Sequence, residues 1–159
     1  MFVQMLIRSF ETRDLEQCTK LIKETSEQFN REDFTQWNEK EFFDFFDSKK
    51  NKEALIKFFN ESTVFVAINQ KDEIMWVLRV EKNRIKSFFV VNEHQRKGVA
   101  TALFNYYLNT LKKWEYKNLT VLSSTYAVKF YESLWFVISW DDIIRGGKIR
   151  VIPMEKILT

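Results

Sequence analysis

Only one glycine, Gly98, occurs in the first 145 residues of this 159-residue chain, and the other two form the adjacent pair Gly146 and Gly147. The chain also has 1 proline, whereas average usage predicts roughly 11 glycines and 8 prolines. This scarcity excludes collagen-like, proline-rich and glycine-serine linker sequences. Because 45% of the residues are hydrophobic and 16% aromatic, a large core can form, and we expect one ordered domain over residues 1–159.

Charge and apolar patterning exclude several classes of partner. The 25 basic and 22 acidic residues are interspersed and leave a formal net charge of +3, so no basic stripe for nucleic acid emerges. No stretch approaches the ~18 apolar residues of a membrane span, and the first ten residues lack the basic region of a signal peptide. The lone Cys18 cannot form an internal disulfide, and its place in a helical pattern suits a packed thiol. We therefore expect a cytoplasmic protein that binds neither nucleic acid nor a membrane.

Hydrophobic periodicity predicts an α/β fold with a mixed sheet. Apolar residues recur at helical spacing in five segments, 15–29, 39–47, 52–60, 99–113 and 125–134. Alternating or β-branched runs predict strands at 5–10, 63–69, 73–80, 84–91, 119–123, 136–140 and 150–158. The glycine pair at 146–147 predicts a tight hairpin before the last strand.

The polar segment 92–98 (NEHQRKG) joins a predicted strand directly to a predicted helix. The first turn of a helix offers unpaired N–H groups and the positive end of the helix dipole. Gly98 has no Cβ, so a ligand can approach its backbone closely, and Arg96 and Lys97 add positive charge. These features favour an anion site, most naturally for a pyrophosphate. An ordinary strand–helix turn with solvated cations explains them equally well.

Two segments resemble the signature motifs of the GNAT superfamily of N-acetyltransferases. Residues 95–100 (QRKGVA) match the pattern Q/R-x-x-G-x-G/A, and residues 127–136 (AVKFYESLWF) resemble A-x-x-F-Y-E-x-x-G-F. The resemblance covers residues 5–158 in the order of elements. It implies a largely antiparallel mixed sheet flanked by helices, in which two neighbouring strands splay apart to form the cleft for coenzyme A.

The resemblance also implies an activity and a cofactor site. An acetyl group would pass from acetyl-CoA, as co-substrate, to a primary amine of a small molecule or peptide by direct transfer in a ternary complex, with no metal. After Gln95, which opens the loop, the pyrophosphate would be held by the backbone N–H groups of Arg96, Lys97, Gly98, Val99 and Ala100. Phe89 and Val90 would pair with the pantetheine arm, and the Val90 N–H would polarise the thioester carbonyl.

Tyr131 matches the family's tyrosine that protonates the departing thiolate, a proton transfer within reach of a phenol. The alternative for Tyr131 is a packed helix aromatic. Ser124 stands where the family often has an asparagine, and its hydroxyl would bond the pantetheine region with a shorter reach. Homodimers are common in the family, although the sequence leaves the oligomeric state open.

The chain departs from the family pattern at two tryptophans and at the general base. Trp135 replaces a glycine that normally supplies the left-handed helix cap, so we expect the helix to end differently. Trp76 also stands at a usual glycine and is expected in the core rather than on the acceptor side. The strand segment 85–88 (IKSF) lacks the carboxylate that many relatives carry. Nearby titratable residues are Glu81, Glu93 and His94, and a water-relayed transfer or an acceptor that arrives as a free amine would serve as well.

The acceptor site is expected from residues 25–60, which cross the front of the sheet in such folds. Its aromatic residues are Phe29, Phe34, Trp37, Phe42 and Phe46, and its interspersed acids are Glu27, Glu32 and Asp33. An apolar pocket with acidic edges would suit an amine, whereas a simple core beneath two short helices would also use these aromatics. The missing carboxylate and the two tryptophans keep a second function open, namely a non-catalytic acyl-CoA-binding relative.

Overall fold

The computed structural model describes residues 4–35, 38–91, 98–111, 115–145 and 149–158, with Val99 described by its backbone alone. Several predictions concern residues outside these ranges, namely Trp37, Glu93, His94, Gln95, Arg96, Lys97, Gly146 and Gly147. No helix within the described ranges is long and apolar enough to cross a bilayer.

The described residues form an α/β fold with an 8-stranded sheet. The α-helices are α1 (Leu15–Phe29), α2 (Glu39–Phe45), α3 (Lys52–Asn60), α4 (Val99–Thr110) and α5 (Val128–Ser133). The strands are β1 (Leu6–Ser9), β2 (Thr63–Ile68), β3 (Ile74–Glu81), β4 (Arg84–Val90), β5 (Asn118–Ser123), β6 (Val137–Ile138), β7 (Ile143–Arg145) and β8 (Ile149–Ile157). Short 3₁₀ turns precede and follow α1 at Thr12–Asp14 and Arg31–Asp33.

The sheet has the strand order β1-β2-β3-β4-β5-β8-β6, and β7 pairs with β8. Every neighbouring pair is antiparallel except β4 and β5, which are parallel. A parallel pair needs a crossover connection, and α4 lies in that connection. The predicted mixed, largely antiparallel sheet flanked by helices is therefore confirmed.

The two faces of the sheet are covered by separate hydrophobic clusters. One cluster includes Leu103, Phe104 and Tyr107 of α4, and the other includes Cys18 of α1 and Leu55 of α3. Because both faces are covered, β3 reads as a nearly continuous apolar run instead of an alternating one. Burial raises the pKa of the Cys18 thiol, which agrees with a packed cysteine.

Trp76 of β3 is 3% exposed and belongs to the cluster on the α4 face. Its ring meets the ring of Phe88 edge-on, with the centroids 5.5 Å apart. The prediction that Trp76 fills the core is confirmed.

Trp135 corrects a prediction about the end of α5. It adopts a positive φ of 70°, so a tryptophan occupies the left-handed backbone conformation that glycine usually takes at this position. Trp135 N–H donates to the Glu132 carbonyl and Phe136 N–H to the Tyr131 carbonyl, each at 3.0 Å. These two bonds form the Schellman motif, so the helix ends as it would with glycine there. The expectation of a different helix end was wrong because the two hydrogen bonds outweigh the strain of one residue.

We expect Trp135→Gly to raise the free energy of unfolding by about 1 kcal/mol, since a side chain costs about 1–2 kcal/mol in the left-handed region. The indole is 80% exposed, so little packing is lost. Urea unfolding at constant m-value measures the change. Trp135→Ala is the matched control because it removes the ring and keeps the Cβ. Equal stability of the Gly and Ala variants would show that the backbone is unstrained.

Candidate active site

The site is built around a wedge between the parallel strands β4 and β5. The two strands pair only where Arg84 meets Thr120 and Ile85 meets Val121. Beyond these residues β4 continues alongside β3 as far as the pair of Val90 and Trp76, and β5 continues alongside β8. The β5-facing edge of β4 thus has no strand partner from Lys86 to Val90 within the described residues. The predicted splayed strand pair is confirmed.

Val90 directs its backbone polar groups into this wedge. The next residue, Val91, donates its N–H to the Met75 carbonyl at 2.9 Å. Successive residues of a strand point their N–H and C=O groups to opposite sides, so those of Val90 point away from β3. The hydroxyl of Thr25 in α1 donates to the Val90 carbonyl across 3.3 Å. The Val90 N–H therefore lies at the open edge.

Gly98 opens α4 in the left-handed conformation, with φ +77°. A Cβ added there would meet no atom of the described residues within 4 Å. The first intrahelical bond runs from the Ala102 N–H to the Gly98 carbonyl at 3.2 Å. The N–H groups of the first turn, including those of Val99 and Ala100, have no partner within the helix. An exposed N-terminus with open space beside it is the arrangement that binds anions.

Tyr131 lies in α5 beneath the wedge and is 4% exposed. Its ring packs against Phe130 and Phe136, with centroid distances of 5.2 and 5.4 Å. Burial raises the pKa of its phenol above the ordinary value, so the hydroxyl keeps its proton at neutral pH. Within the described part of the chain, this hydroxyl makes no hydrogen bond.

A cavity of about 370 Å³ extends from the wedge to the phenylalanines of α2 and α3. Tyr131, Ser123 and Ser124 lie at the wedge end of its lining. Its aromatic wall comes from α2, α3, β4 and the turn after α1, and consists of Phe34, Phe42, Phe45, Phe46, Phe58, Phe88 and Phe89. The phenylalanines pack on one another, as in the 4.8 Å pair of Phe34 and Phe42. They are thus both core and cavity wall.

The sequence matches the family model described as an acetyltransferase (GNAT) domain over residues 21–158. The chain belongs to the GNAT family. Its members are acetyl-CoA-dependent acyltransferases, which matches the resemblance found at the two motifs. A comparison with curated protein sequences finds no significant match.

Solved structures share the GNAT fold at low sequence identity. A GCN5-related N-acetyltransferase from Rhodopseudomonas palustris is 17% identical, with a TM-score of 0.78 and 99% of each chain covered. The PaiA N-acetyltransferase from Thermoplasma acidophilum, in complex with coenzyme A, is 13% identical, with a TM-score of 0.74 and coverage of 98% of this chain and 99% of that one. A SpeG spermidine N-acetyltransferase variant from Vibrio cholerae is 19% identical, with a TM-score of 0.59 and coverage of 97% and 94%.

In this GNAT chain the turn that follows β5 is held by Asp33, an acid that the sequence predicts at the edge of the acceptor pocket. Asp33 is 2% exposed, and its carboxylate accepts hydrogen bonds from the Thr125 N–H, at 2.9 Å, and from the Thr125 hydroxyl. The Ser124 hydroxyl accepts from the Ala127 N–H at 3.2 Å. Asp33 thus fixes the turn that leads into α5, and it does not line the cavity.

The predicted acidic edge of the acceptor pocket is wrong for the described residues. None of the aspartates or glutamates among them lines the cavity, and the charged residues that do are Arg79, Arg84, Lys86, Arg145 and Arg150. Phe29, another predicted pocket residue, instead stacks on Tyr126 at 4.4 Å. The sequence held one signal for this outcome, because Arg79 is the lone charge inside the buried run IMWVLRV of β3.

A general base is likewise missing from the cavity lining, as far as the described residues go. Glu81 is exposed and forms an ion pair with Lys86 at 3.2 Å. In the described ranges, no group of three or more His, Cys, Asp or Glu is placed to hold a metal ion. Among the described residues, the groups that this GNAT site offers to chemistry are therefore backbone N–H groups, the Tyr131 phenol, serine hydroxyls and several cations.

Proposed function

We propose that the protein transfers an acetyl group from acetyl-CoA to the primary amine of a small molecule or peptide, by direct transfer in a ternary complex. The observation that carries the proposal is one cavity that contains both the open edge of β4 and the Tyr131 side chain. The coenzyme A in PaiA and the spermidine in the name of SpeG support the donor and the amine class. We treat residues 1–159 as a single N-acetyltransferase domain.

The cofactor would span the wedge from the start of α4 to Tyr131. Its pyrophosphate would lie on the backbone N–H groups at the start of α4, where the open N-terminus favours negative charge. The residues proposed to hold it are Gln95, Arg96, Lys97, Gly98, Val99 and Ala100. The pantetheine amides would pair with Phe89 and Val90 at the unpaired edge, and Ser124 would face the same arm.

The chemistry follows from these positions. The unprotonated amine attacks the thioester carbon, a C–N bond forms, and the carbonyl oxygen gains negative charge that the Val90 N–H stabilises. When the C–S bond breaks, the sulfur leaves as a thiolate and takes a proton from Tyr131. The proton lost by the nitrogen goes to water, and solvent restores the phenol.

The proposal is tested by thiol release from acetyl-CoA in the presence of a panel of primary amines, with calorimetric binding of CoA to the same protein. We expect amine-dependent thiol release together with CoA binding. CoA binding without thiol release on any amine would instead support the non-catalytic acyl-CoA-binding alternative. Failure of CoA to bind at millimolar concentration would refute both.

We expect kcat/KM for the acceptor to rise about tenfold per pH unit until the pH reaches the pKa of its amine, because the described cavity lining holds no base. The raised pKa of Tyr131 keeps its proton in place as the pH increases, so no alkaline decline should appear below about pH 10. Initial rates in buffers of constant ionic strength give the profile. A plateau that begins well below the amine's pKa would instead reveal a general base in the protein.

A further inference from the structure

The cavity wall has a charge imbalance that the transfer chemistry does not use. Its described lining holds five basic side chains and no acidic one. Two of the five are ion-paired, Lys86 with Glu81 at 3.2 Å and Arg150 with Asp142 at 2.8 Å. Among the described residues, no carboxylate lies within 4.0 Å of the guanidinium nitrogens of Arg79, Arg84 or Arg145. Among the described residues these three guanidinium groups therefore have no ion-pair partner, although Glu81 and Glu61 attract Arg79 from beyond 4.0 Å.

Arg79 is the most constrained of these side chains. It leaves β3 toward the aromatic wall, and its guanidinium carbon lies 3.8 Å from the centre of the Phe58 ring. Its Nε is buried and has no hydrogen-bond partner within the described residues. A desolvated charge without a partner is costly, and a cation–π contact compensates only part of that cost. A hydrogen-bond acceptor beside Arg79 would offset the rest of that cost.

Arg145 of β7 brings a second guanidinium to the same cavity. Burial and, secondarily, repulsion from Arg145 lower the pKa of Arg79 to about 10, although attraction by Glu81 and Glu61 offsets part of this effect. Two like charges held near one another, one of them buried, are unfavourable on their own. An anion between them removes both penalties, and planar guanidinium groups suit a carboxylate because they form two parallel hydrogen bonds with it.

We propose that the amine acceptor carries a carboxylate, which Arg79 and Arg145 bind, and an apolar body, which packs against the phenylalanine wall. This inference rests on the proposed function and names the substrate class for it. The volume of about 370 Å³ is shared with the acetyl end of the donor, so the acceptor has the size of a single amino acid. A polycationic amine such as spermidine is disfavoured, because its charges would meet those of the cavity.

A matched pair of acetylated products tests the proposal without relying on turnover. N-acetyl-L-phenylalanine and N-acetylphenethylamine differ only by the carboxylate, and neither has an amine that titrates. We expect calorimetry on the CoA-loaded protein to show at least about tenfold tighter binding of the carboxylate member. Equal binding, or tighter binding of N-acetylphenethylamine, would overturn the proposal even if amines are acetylated.

Three variants distinguish the effect of the two cavity arginines on carboxylate binding from the effect of the protein's net charge. Arg79→Met keeps an apolar contact with Phe58, and we expect it to reduce the preference for the carboxylate to less than about threefold. Arg145→Gln should reduce the preference as well, and this variant serves as the test if Arg79→Met does not fold. Arg13→Gln is the control of equal charge, because Arg13 pairs with Glu11 and Asp72 on the surface, and it should keep the full preference. An unchanged preference in both cavity variants would overturn the assignment.

Two further measurements distinguish binding of the donor from binding of the acceptor. Arg79→Met should bind CoA as the unsubstituted protein does, since the donor is proposed to lie in the wedge. Loss of CoA binding in every protein would refute the proposed function itself, whereas CoA binding without a carboxylate preference refutes only this inference. A phosphonate analogue of N-acetylphenylalanine gives the last comparison, and markedly tighter binding of it would replace the carboxylate by a phosphate-like group.

Discussion

Replacing Tyr131 by phenylalanine is expected to lower kcat about 100-fold, with KM for acetyl-CoA changed less than about twofold. The phenol belongs to the described lining of the cavity next to the splayed strands, and it is proposed to give its proton to the departing sulfur. Because the raised pKa keeps the phenol neutral, the defect should be the same at every pH from about 6 to about 9. Initial rates of thiol release with a saturating acceptor measure it.

Tyr131→Phe removes only the hydroxyl, because the ring keeps its contacts with Phe130 and Phe136. The hydroxyl makes no hydrogen bond within the described residues, so no partner loses one, and stability should change by less than about 0.5 kcal/mol. A donor with a more acidic thiol provides the matched control, because its thiolate leaves without a proton. The defect should shrink with that donor. A variant with full kcat would show that Tyr131 is only a packed aromatic.

Replacing Gly98 by aspartate is expected to weaken CoA binding about 30-fold, which is roughly 2 kcal/mol and lies between the screened and the partly desolvated estimates for two charges ~4 Å apart. The position is exposed, and an added Cβ would meet no atom of the described residues within 4 Å. Any side chain is strained in this left-handed conformation, but aspartate tolerates it better than most residues do. The variant should therefore fold, and its loss should come from repulsion of the pyrophosphate.

Gly98→Asn is the neutral counterpart of the same shape, and we expect it to weaken binding less than about fivefold. Calorimetry with CoA gives both values, and pantetheine, which lacks the pyrophosphate, should bind all three proteins alike. If the Asp and Asn variants bound CoA equally, the start of α4 would not be the pyrophosphate site.

The elements that sequence predicted well are those with a local signal. The helical spacing of α1, α3 and α4 and the β-branched runs of β2, β3 and β4 survive in the structure because their apolar faces pack on two covered sides of one sheet. The strand β7 escaped prediction because all three of its residues are exposed, so it shows no alternation. Within the described residues β7 pairs with β8, and this pairing leaves no local pattern in the sequence.

The charge of the acceptor cavity depended on contacts that are distant in sequence. Asp33 and Thr125 are 92 positions apart, and only the fold turns that acid away from the cavity. Arg79 and Arg145 lie on different strands, and neither stands in a motif. The proposed donor side has a local signal in the sequence, because a strand, a glycine and a helix in succession define where backbone N–H groups are open.

The brief pairing of β4 with β5 makes a sheet edge in the interior of the molecule. Edges usually lie at the periphery, where they can add strands of other chains. Here the edge from Lys86 to Val90 lies between two halves of one sheet. At its end the Thr25 hydroxyl donates a hydrogen bond to the Val90 carbonyl. A donor arm bound there, as proposed, would take the place of a missing strand and would connect β1–β4 with β5–β8. Binding of the donor would then add main-chain hydrogen bonds where the sheet is held together by only two residue pairs.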